Sequence, residues 1–200
     1  MVVRYRSLQL HDMDFNQDKK FRNLSWSGKQ TTEEVYESCS FESCDLSDGV
    51  FSFCKFIDCV FANCNLSMVK LTDCLLNDIT FNNCKMLGIN FNDCNDSLFT
   101  VKFNGCQLDY SSFTKKKMMK TTFNDSSVRH VDFSECDLTK SSFSNTDLMN
   151  SVFNRTILKE ADLLTASNYI IDPESNNIRK AKFSLNGIAG LLNKYDISIE

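Results

Sequence analysis

Residues 39–56 read CSFESCDLSDGVFSFCKF, and inside them a large apolar residue returns at every fifth position: Phe41, Leu46, Phe51, Phe56. The same beat continues through Phe61, Leu66, Leu71, Leu76, Phe81, Met86 and Phe91. A two-residue insertion near NDCNDSLF shifts it, and the reading places its resumption at Leu98. From there it runs through Phe103, Leu108, Phe113, Met118, Phe123, Val128, Phe133, Leu138, Phe143, Leu148, Phe153 and Leu158 to Leu163. Upstream, Phe21, Trp26 and Tyr36 keep the phase and Thr31 interrupts it. A period of five matches neither the helix, with its 3.6-residue turn, nor the strand, whose faces alternate every two residues. A chain that buries one side chain in five must turn at nearly every repeat. The simplest solution is a coil with flat faces, one pentapeptide to a face, stacked in parallel at strand spacing.

Two residues before each large position stands a small or thin one, such as Cys39, Cys44, Gly49, Cys54, Cys59, Cys64, Ser111, Thr121, Ser126 and Ala161. The residue between is often Asp or Asn, as in CDL, CNL, VDF, TDL and ADL. This pattern resembles the pentapeptide-repeat family, with its A(D/N)LXX motif, closely over residues 36–163 and loosely over 21–35. The resemblance implies an all-β fold, a right-handed quadrilateral parallel β-helix of about seven coils with a short C-terminal capping helix. The expected division is a lead-in over residues 1–20, the repeat β-helix over 21–163, and a cap with a possible dimerisation end over 164–200.

All ten cysteines occupy the small slot or its equivalent beside the insertion (Cys94), and none forms a CxxC pair. Cys44, Cys64 and Cys84 stack on one face, and Cys54, Cys74 and Cys94 on another. Stacked thiols point in parallel, whereas a zinc site needs converging ligands and a disulfide needs facing Cβ vectors. They read as small buried bricks beneath the phenylalanines; a metal or redox role is the lesser reading, so no metal or cofactor is expected. His11 and His130 are the two histidines, and His130 falls at an outward position. There is no nucleophile elbow, phosphate-binding glycine loop or HExxH. A filled rod offers no convergent pocket, so the expectation is a protein that is not an enzyme.

The net charge of −4 argues against a basic nucleic-acid binder, and no direct nucleic-acid contact is expected. No stretch is apolar enough to span a membrane, and the N-terminus lacks the apolar run of a secretory signal, so a cytoplasmic protein with reduced thiols is expected. Residues 41–114 are acidic, with Asp45, Asp48, Asp58, Asp73, Asp78 and Asp93 as the expected partner-binding surface. Asp58 should stack with Asp78, and Asp73 with Asp93. KKKMMK at 115–120 interrupts this with a basic patch of Lys115, Lys116, Lys117 and Lys120. Lys116 falls in the small inward slot, which implies either a bulge or an outward-snorkelling side chain; a loop of solvated lysines is the preferred reading. Residues 164–183 lose the period and read as an extended cap or loop around Pro173. A short helix then follows, with Ser184 as N-cap, Leu185, Ile188, Leu192 and Tyr195 as its apolar face and Leu191 beside it. The DISIE tail alternates and could add a strand.

Within the family, CNLSMVKL (64–71), LGINF (87–91) and GLLNKYDISI are similar to the Qnr-type quinolone-resistance group. That resemblance implies a cytoplasmic DNA mimic, dimeric through its C-terminal ends, whose acidic rod binds and protects DNA gyrase or topoisomerase IV. The projecting loops of that group have no counterpart here beyond the short insertion. The alternative is a general protein-interaction scaffold with an unrelated partner.

Overall fold

The computed structural model describes residues 15–198. The chain winds a right-handed β-solenoid of about eight turns, with one short helix near the C-terminus. Each turn has four sides, named here for their inward residues: the Phe61, Leu66, Leu71 and Leu76 faces. On the Phe61 face Lys20–Arg22, Ser40–Glu42, Val60–Ala62, Ile79–Asn82, Val101–Asn104 and Thr122–Asn124 form one parallel ladder. On the Leu71 face Gln30–Thr32, Val50–Ser52 and Lys70–Thr72 pair. On the Leu76 face Phe15–Gln17, Val35–Glu37, Lys55–Ile57 and Leu75–Asn77 pair. The Leu66 face is linked by single bridges such as Asp45 to Asn65 and Asn65 to Lys85.

Each regular side ends in a corner whose residue is left-handed; the coil of the insertion departs from this at Asp93, which closes a 3-10 turn. Asp58, Asp78, Lys120 and Lys140 have φ of 50°, 55°, 62° and 61°. Asn, Asp and Gly accept this conformation most cheaply, but lysine, histidine and glutamate stand there too, so ladder bonds above and below hold the turn. Proline, with φ near −65°, fits none of these corners, and its single occurrence at 173 lies beyond the regular repeats.

The interior is a set of ring stacks. Phe41 lies on Phe61 at 4.5 Å and Phe103 on Phe123 at 5.1 Å, continuing to Phe143 at 5.0 Å. Phe91, Phe113 and Phe133 stack on the opposite side, the Leu71 face, at 4.4 and 5.5 Å. Offset aromatic stacking adds to the area term, so the stacks glue each coil to the next.

The ten cysteines are free and buried. All of the thiols except that of Cys94, beside the insertion, share one task. Cys59, Cys64 and Cys74 donate to the carbonyls of Tyr36, Phe41 and Phe51, one coil below, at 3.3, 3.4 and 3.3 Å. Further along, hydroxyls do the same: Ser111 donates to Met86, Ser141 to Met118 and Thr156 to Phe133, at 3.1, 3.0 and 2.9 Å. The Asn176 amide repeats it toward Phe153 at 3.0 Å. The small slot therefore requires little bulk and one donor. Burial pushes the Cys59 thiol up to about 11, and Cys94 and Cys136 up to about 12, so these thiols stay protonated and unreactive.

Three expectations need correction. The insertion does not return the phase at Leu98: Phe99 is the buried residue, and Leu98 projects at 67% exposure with φ of 56°. The ladder absorbs the two extra residues, so that Ile79 pairs with Val101 and Phe81 with Phe103. Second, the coil does not stop at Leu163. Asp147 bridges Ser167, Ile157 bridges Asn177, and Asp162–Leu163 pairs with Lys182–Phe183, all twenty residues apart. The large inward position lapses at Asn168 and Pro173 and returns at Ile178 and Phe183, which pack on the core, and the small slot persists at Ala166, Ile171 and Asn176, all buried. Third, the first helical turn turns its side chain outward. Ser184 caps as expected, its hydroxyl accepting from the Gly187 amide. Leu185, however, is almost wholly exposed, and Leu191 is the residue packed on the core. A 3-10 turn at Leu185–Gly187, an α-turn at Ala189–Leu192 and a 3-10 turn at Asn193–Tyr195 make up this cap. Gly187 and Gly190 are needed because a Cβ there would collide with Tyr169. Residues 196–198 form no strand.

Candidate interaction surface

The interior void among the Phe and Leu side chains is about 20 Å³ and wholly apolar. Among the described residues no three His, Cys, Asp or Glu side chains converge as a metal site would require, and His11 lies outside them. His130 is exposed and stacks on Tyr110 at 4.7 Å. What the rod presents to other molecules is its outer columns, where residues twenty apart recur at about 4.8 Å.

Asp and Asn between the small and large positions mostly serve the fold. Asp45 accepts from the Ser47 hydroxyl and amide at 2.7 and 3.2 Å and from Asn65 at 3.2 Å, and these bonds hold its carboxyl below the usual range. Asp132, Asp137 and Asp147 accept from the amides of Ser134, Thr139 and Met149 in the same way. Such side-chain turns are the local reason for the DL, DF and NL pairs.

The six aspartates singled out from the sequence fall on three sides. Asp45 and Asp48 belong to the Leu66 face. Asp73 and Asp93 stack on the Leu71 face, where the Asp73 amide donates to the Asp93 carbonyl at 2.7 Å. Asp58 and Asp78 stack at the corner of the Leu76 face, the Asp58 amide donating to the Asn77 carbonyl at 2.9 Å. Asp48, Asp58, Asp73, Asp78 and Asp93 are exposed, while Asp45 is half-buried. Asp78 also pairs with Lys102 at 3.2 Å.

The basic patch divides. Lys115, Lys117 and Lys120 are exposed. Lys116 is buried at 2% exposure, through neither a bulge nor an outward reach. Its ammonium donates to the Cys94 carbonyl at 2.6 Å and to Asp96 at 2.5 Å, and lies 5.3 Å from the centre of the Phe99 ring. The insertion and the residue just before it supply all three partners, so a buried cation clamps the loop against the coil above it. The sequence signal was the coincidence of a charge in an inward slot with an insertion one coil below.

Sequence reading also missed how far the basic surface extends. Register places Lys120, Lys140, Glu160 and Lys180 in one corner column, because the amides of Lys120, Lys140 and Glu160 donate to the carbonyls of Thr139, Lys159 and Arg179. The neighbouring column ends in Lys159 and Arg179. Among the described residues Lys117, Lys120, Arg179 and Lys180 make no ion pair. The twenty-residue spacing was the available signal.

At the C-terminal end, Leu185, Ile188 and Tyr195 are exposed, and Leu191 and Leu192 are half-buried. Lys194 ties the cap down through Asp172 and Glu174 at 2.7 and 2.6 Å, and Tyr195 donates to Glu174 at 2.8 Å. No helix of the described residues is long and apolar enough to cross a membrane.

No curated protein matches the sequence. Among solved structures, HetL, described as a pentapeptide repeat protein involved in heterocyst differentiation regulation from the cyanobacterium Nostoc sp. strain PCC 7120, is similar at a TM-score of 0.71 and 12% identity. The match covers 87% of this chain and 88% of HetL. Full-length QnrB1, described as a plasmid-mediated fluoroquinolone resistance protein, is similar at 16% identity over 89% of this chain and 100% of its own, with a TM-score of 0.48. A family model described as a pentapeptide repeat region matches residues 36–113 and 97–163. That is more than half of the chain, and the four-sided coil with its five-residue beat agrees with it: the chain belongs to the pentapeptide-repeat family.

Proposed function

We propose that the protein is a non-enzymatic binding rod that engages a protein partner through its outer columns. The observation that carries this reading is the filled, apolar interior beneath flat faces whose exposed residues recur in register. Binding energy on such a surface comes from side chains repeated along a rigid lattice, with little ordering cost. Pull-down with the rod as bait should recover a partner, and exchange of exposed corner residues on one face for alanine should abolish capture; capture that survives such exchange on every face defeats the proposal.

A narrower reading is that the rod imitates duplex DNA and protects a type II topoisomerase, DNA gyrase or topoisomerase IV. Supporting it are the Qnr-type segments and the acidic half of the rod, where exposed carboxylates stand on three sides, as phosphates surround a duplex. In this reading two copies join through their C-terminal ends, with Leu185, Ile188 and Tyr195 buried between them. Purified protein should restore gyrase supercoiling in the presence of a fluoroquinolone. Absence of protection at concentrations of about 10 μM, where an affinity of about −7 kcal/mol would register, sinks this form and leaves the general one standing.

A further inference from the structure

The Leu76 face carries a charge pattern that reverses about its own middle, and we infer that it is a self-complementary docking face for a second, antiparallel copy of this chain. The midpoint is the insertion. One coil below it the corner residue is Asp78, and one coil above it is Lys120. Two coils away the corner residues are Asp58 and Lys140. Register fixes these levels: Leu75–Asn77 pairs with Lys55–Ile57, and Lys117 bridges Asp137. The other edge of the face inverts in the same way, with Lys55 two coils below and Asp137 two coils above. In the column between, Glu37 lies three coils below and Lys159 three above.

A two-fold axis lying in the plane of the face, across the rod and through the insertion, keeps every column in place and reverses its order. Asp78 then meets Lys120 of the second copy, Asp58 meets Lys140, Lys55 meets Asp137, and Glu37 meets Lys159. Each pairing occurs twice, as an isologous interface requires. Two parallel copies, related by an axis along the rod, would instead exchange the two edge columns and set Lys117 of one copy against Lys120 of the other. At strand spacing, Asp58 and Lys140 are about 19 Å apart along the rod, so the pattern spans several coils.

The centre of the pattern is apolar. Leu98, at the loop tip, is 67% exposed, and Met119, one coil above it on the same face, is 57% exposed. A leucine with φ of 56° is held there against its own preference. The Lys116 clamp, the Ser97 amide donating to Asn95 at 2.8 Å, and the Thr100 hydroxyl donating to the Leu98 carbonyl at 3.3 Å fix the loop. An exposed apolar tip on a rigid loop, flanked by charges of opposite sign on its two sides, has the anatomy of an interface with an apolar centre and a polar rim. One narrow face buries less than the roughly 800 Å² per partner of a standard interface, so the association should be weak and strongly salt-dependent.

Sedimentation velocity of the full chain at about 0.1 mM protein should show a dimer whose dissociation constant rises about tenfold between about 50 mM and 500 mM salt. The double variants Asp58→Lys/Asp78→Lys and Lys120→Asp/Lys140→Asp should each be monomeric. Lysine already occupies equivalent left-handed corners at 120 and 140, and circular dichroism of each variant verifies the fold. An equimolar mixture of the two variants should dimerise again, because both halves of the mixed interface then pair opposite charges. Leu98→Cys should form an intermolecular disulfide on mild oxidation. A wild-type monomer at low salt, or a dimer that both charge variants leave intact, overturns the inference. Dimerisation abolished by Leu185→Glu/Ile188→Glu and unaffected by the charge variants assigns the contact to the chain ends and also overturns it.

Discussion

The coils around residues 39–94 and those around 121–163 have the same backbone and the same ring stacks, yet they differ in the small slot and at the corners. In the first stretch the slot is mostly cysteine, and the left-handed corners are Ser, Asp, Asn, Gly, Phe or Met. In the second the slot is mostly serine or threonine, and the corners include Lys120, His130, Glu135, Lys140, Arg155 and Glu160. Thiol and hydroxyl donate to the same carbonyl, one coil below. The slot thus has a fixed geometry and an interchangeable donor, while the outer columns are free to change charge. Core and surface are separable: one half is acidic, the other carries the basic column, and the coil registers neither difference.

The largest test of that separation is a matched pair, Phe61→Ala and Phe123→Ala. Each removes one ring from a continuous stack, and each should cost about 3–5 kcal/mol in denaturant unfolding. A large disparity between them would mean that the slot chemistry does enter the packing. Next comes Thr146→Val, whose hydroxyl donates to the Phe123 carbonyl at 2.6 Å. Leaving that buried acceptor unpaired should cost about 1–3 kcal/mol, whereas Cys64→Ser, which exchanges one donor for another, should stay within about 1 kcal/mol of wild type. Lys116→Met keeps the apolar stem and removes the ammonium. It should cost about 1–2 kcal/mol and, more tellingly, speed amide exchange over residues 95–100 without affecting the Phe stacks.

The smallest effect near neutral pH separates the halves by titration. A thiol whose folded pKa is raised stabilises the fold fully below the unfolded value of about 8.5, and that stability is lost as pH climbs toward the folded value. With Cys59 raised to about 11 and Cys94 to about 12, the contribution of these two thiols should be constant up to about pH 8 and be lost above it. Cys136 is the one cysteine beyond residue 106, so exchange at alkaline pH should rise first in the N-terminal coils. Uniform loosening along the rod would contradict this.

The period alone discloses the solenoid, because no other regular chain buries every fifth residue. The column assignments follow from it: Asp58 over Asp78 and Asp73 over Asp93 needed only a twenty-residue step. The reading fails where that step is broken. Leu98 and Phe99 are both apolar, and only the ladder shift to Ile79–Val101 decides which faces inward. Lys116 appears misplaced by local rules, since its partners come from the preceding coil and owe their position to the insertion. Past Leu163 the large position is broken at Asn168 and Pro173 while the backbone ladder persists to Ile178 and Phe183, so a reading keyed to an unbroken phenylalanine and leucine beat ends one coil early. The distribution of charge over the faces was present in the sequence, but it emerges only when residues are counted in twenties.

The four-sided coil makes five residues a quarter turn. Removing one pentapeptide from the middle of the chain, for instance residues 121–125, would leave an unbroken run of small and large inward positions, and the rod would still close. Every side chain beyond the cut would nevertheless move to the neighbouring face, carrying Lys140 and Lys159 away from Asp58 and Asp78. Removing twenty residues would shorten the rod by one storey and leave each surviving column in line. Length changes in this architecture therefore come in two kinds, one that alters reach and one that reassigns which sides of the molecule a partner sees together. The natural insertion at 95–99 is of neither kind: it lengthens one storey by two residues and turns nothing.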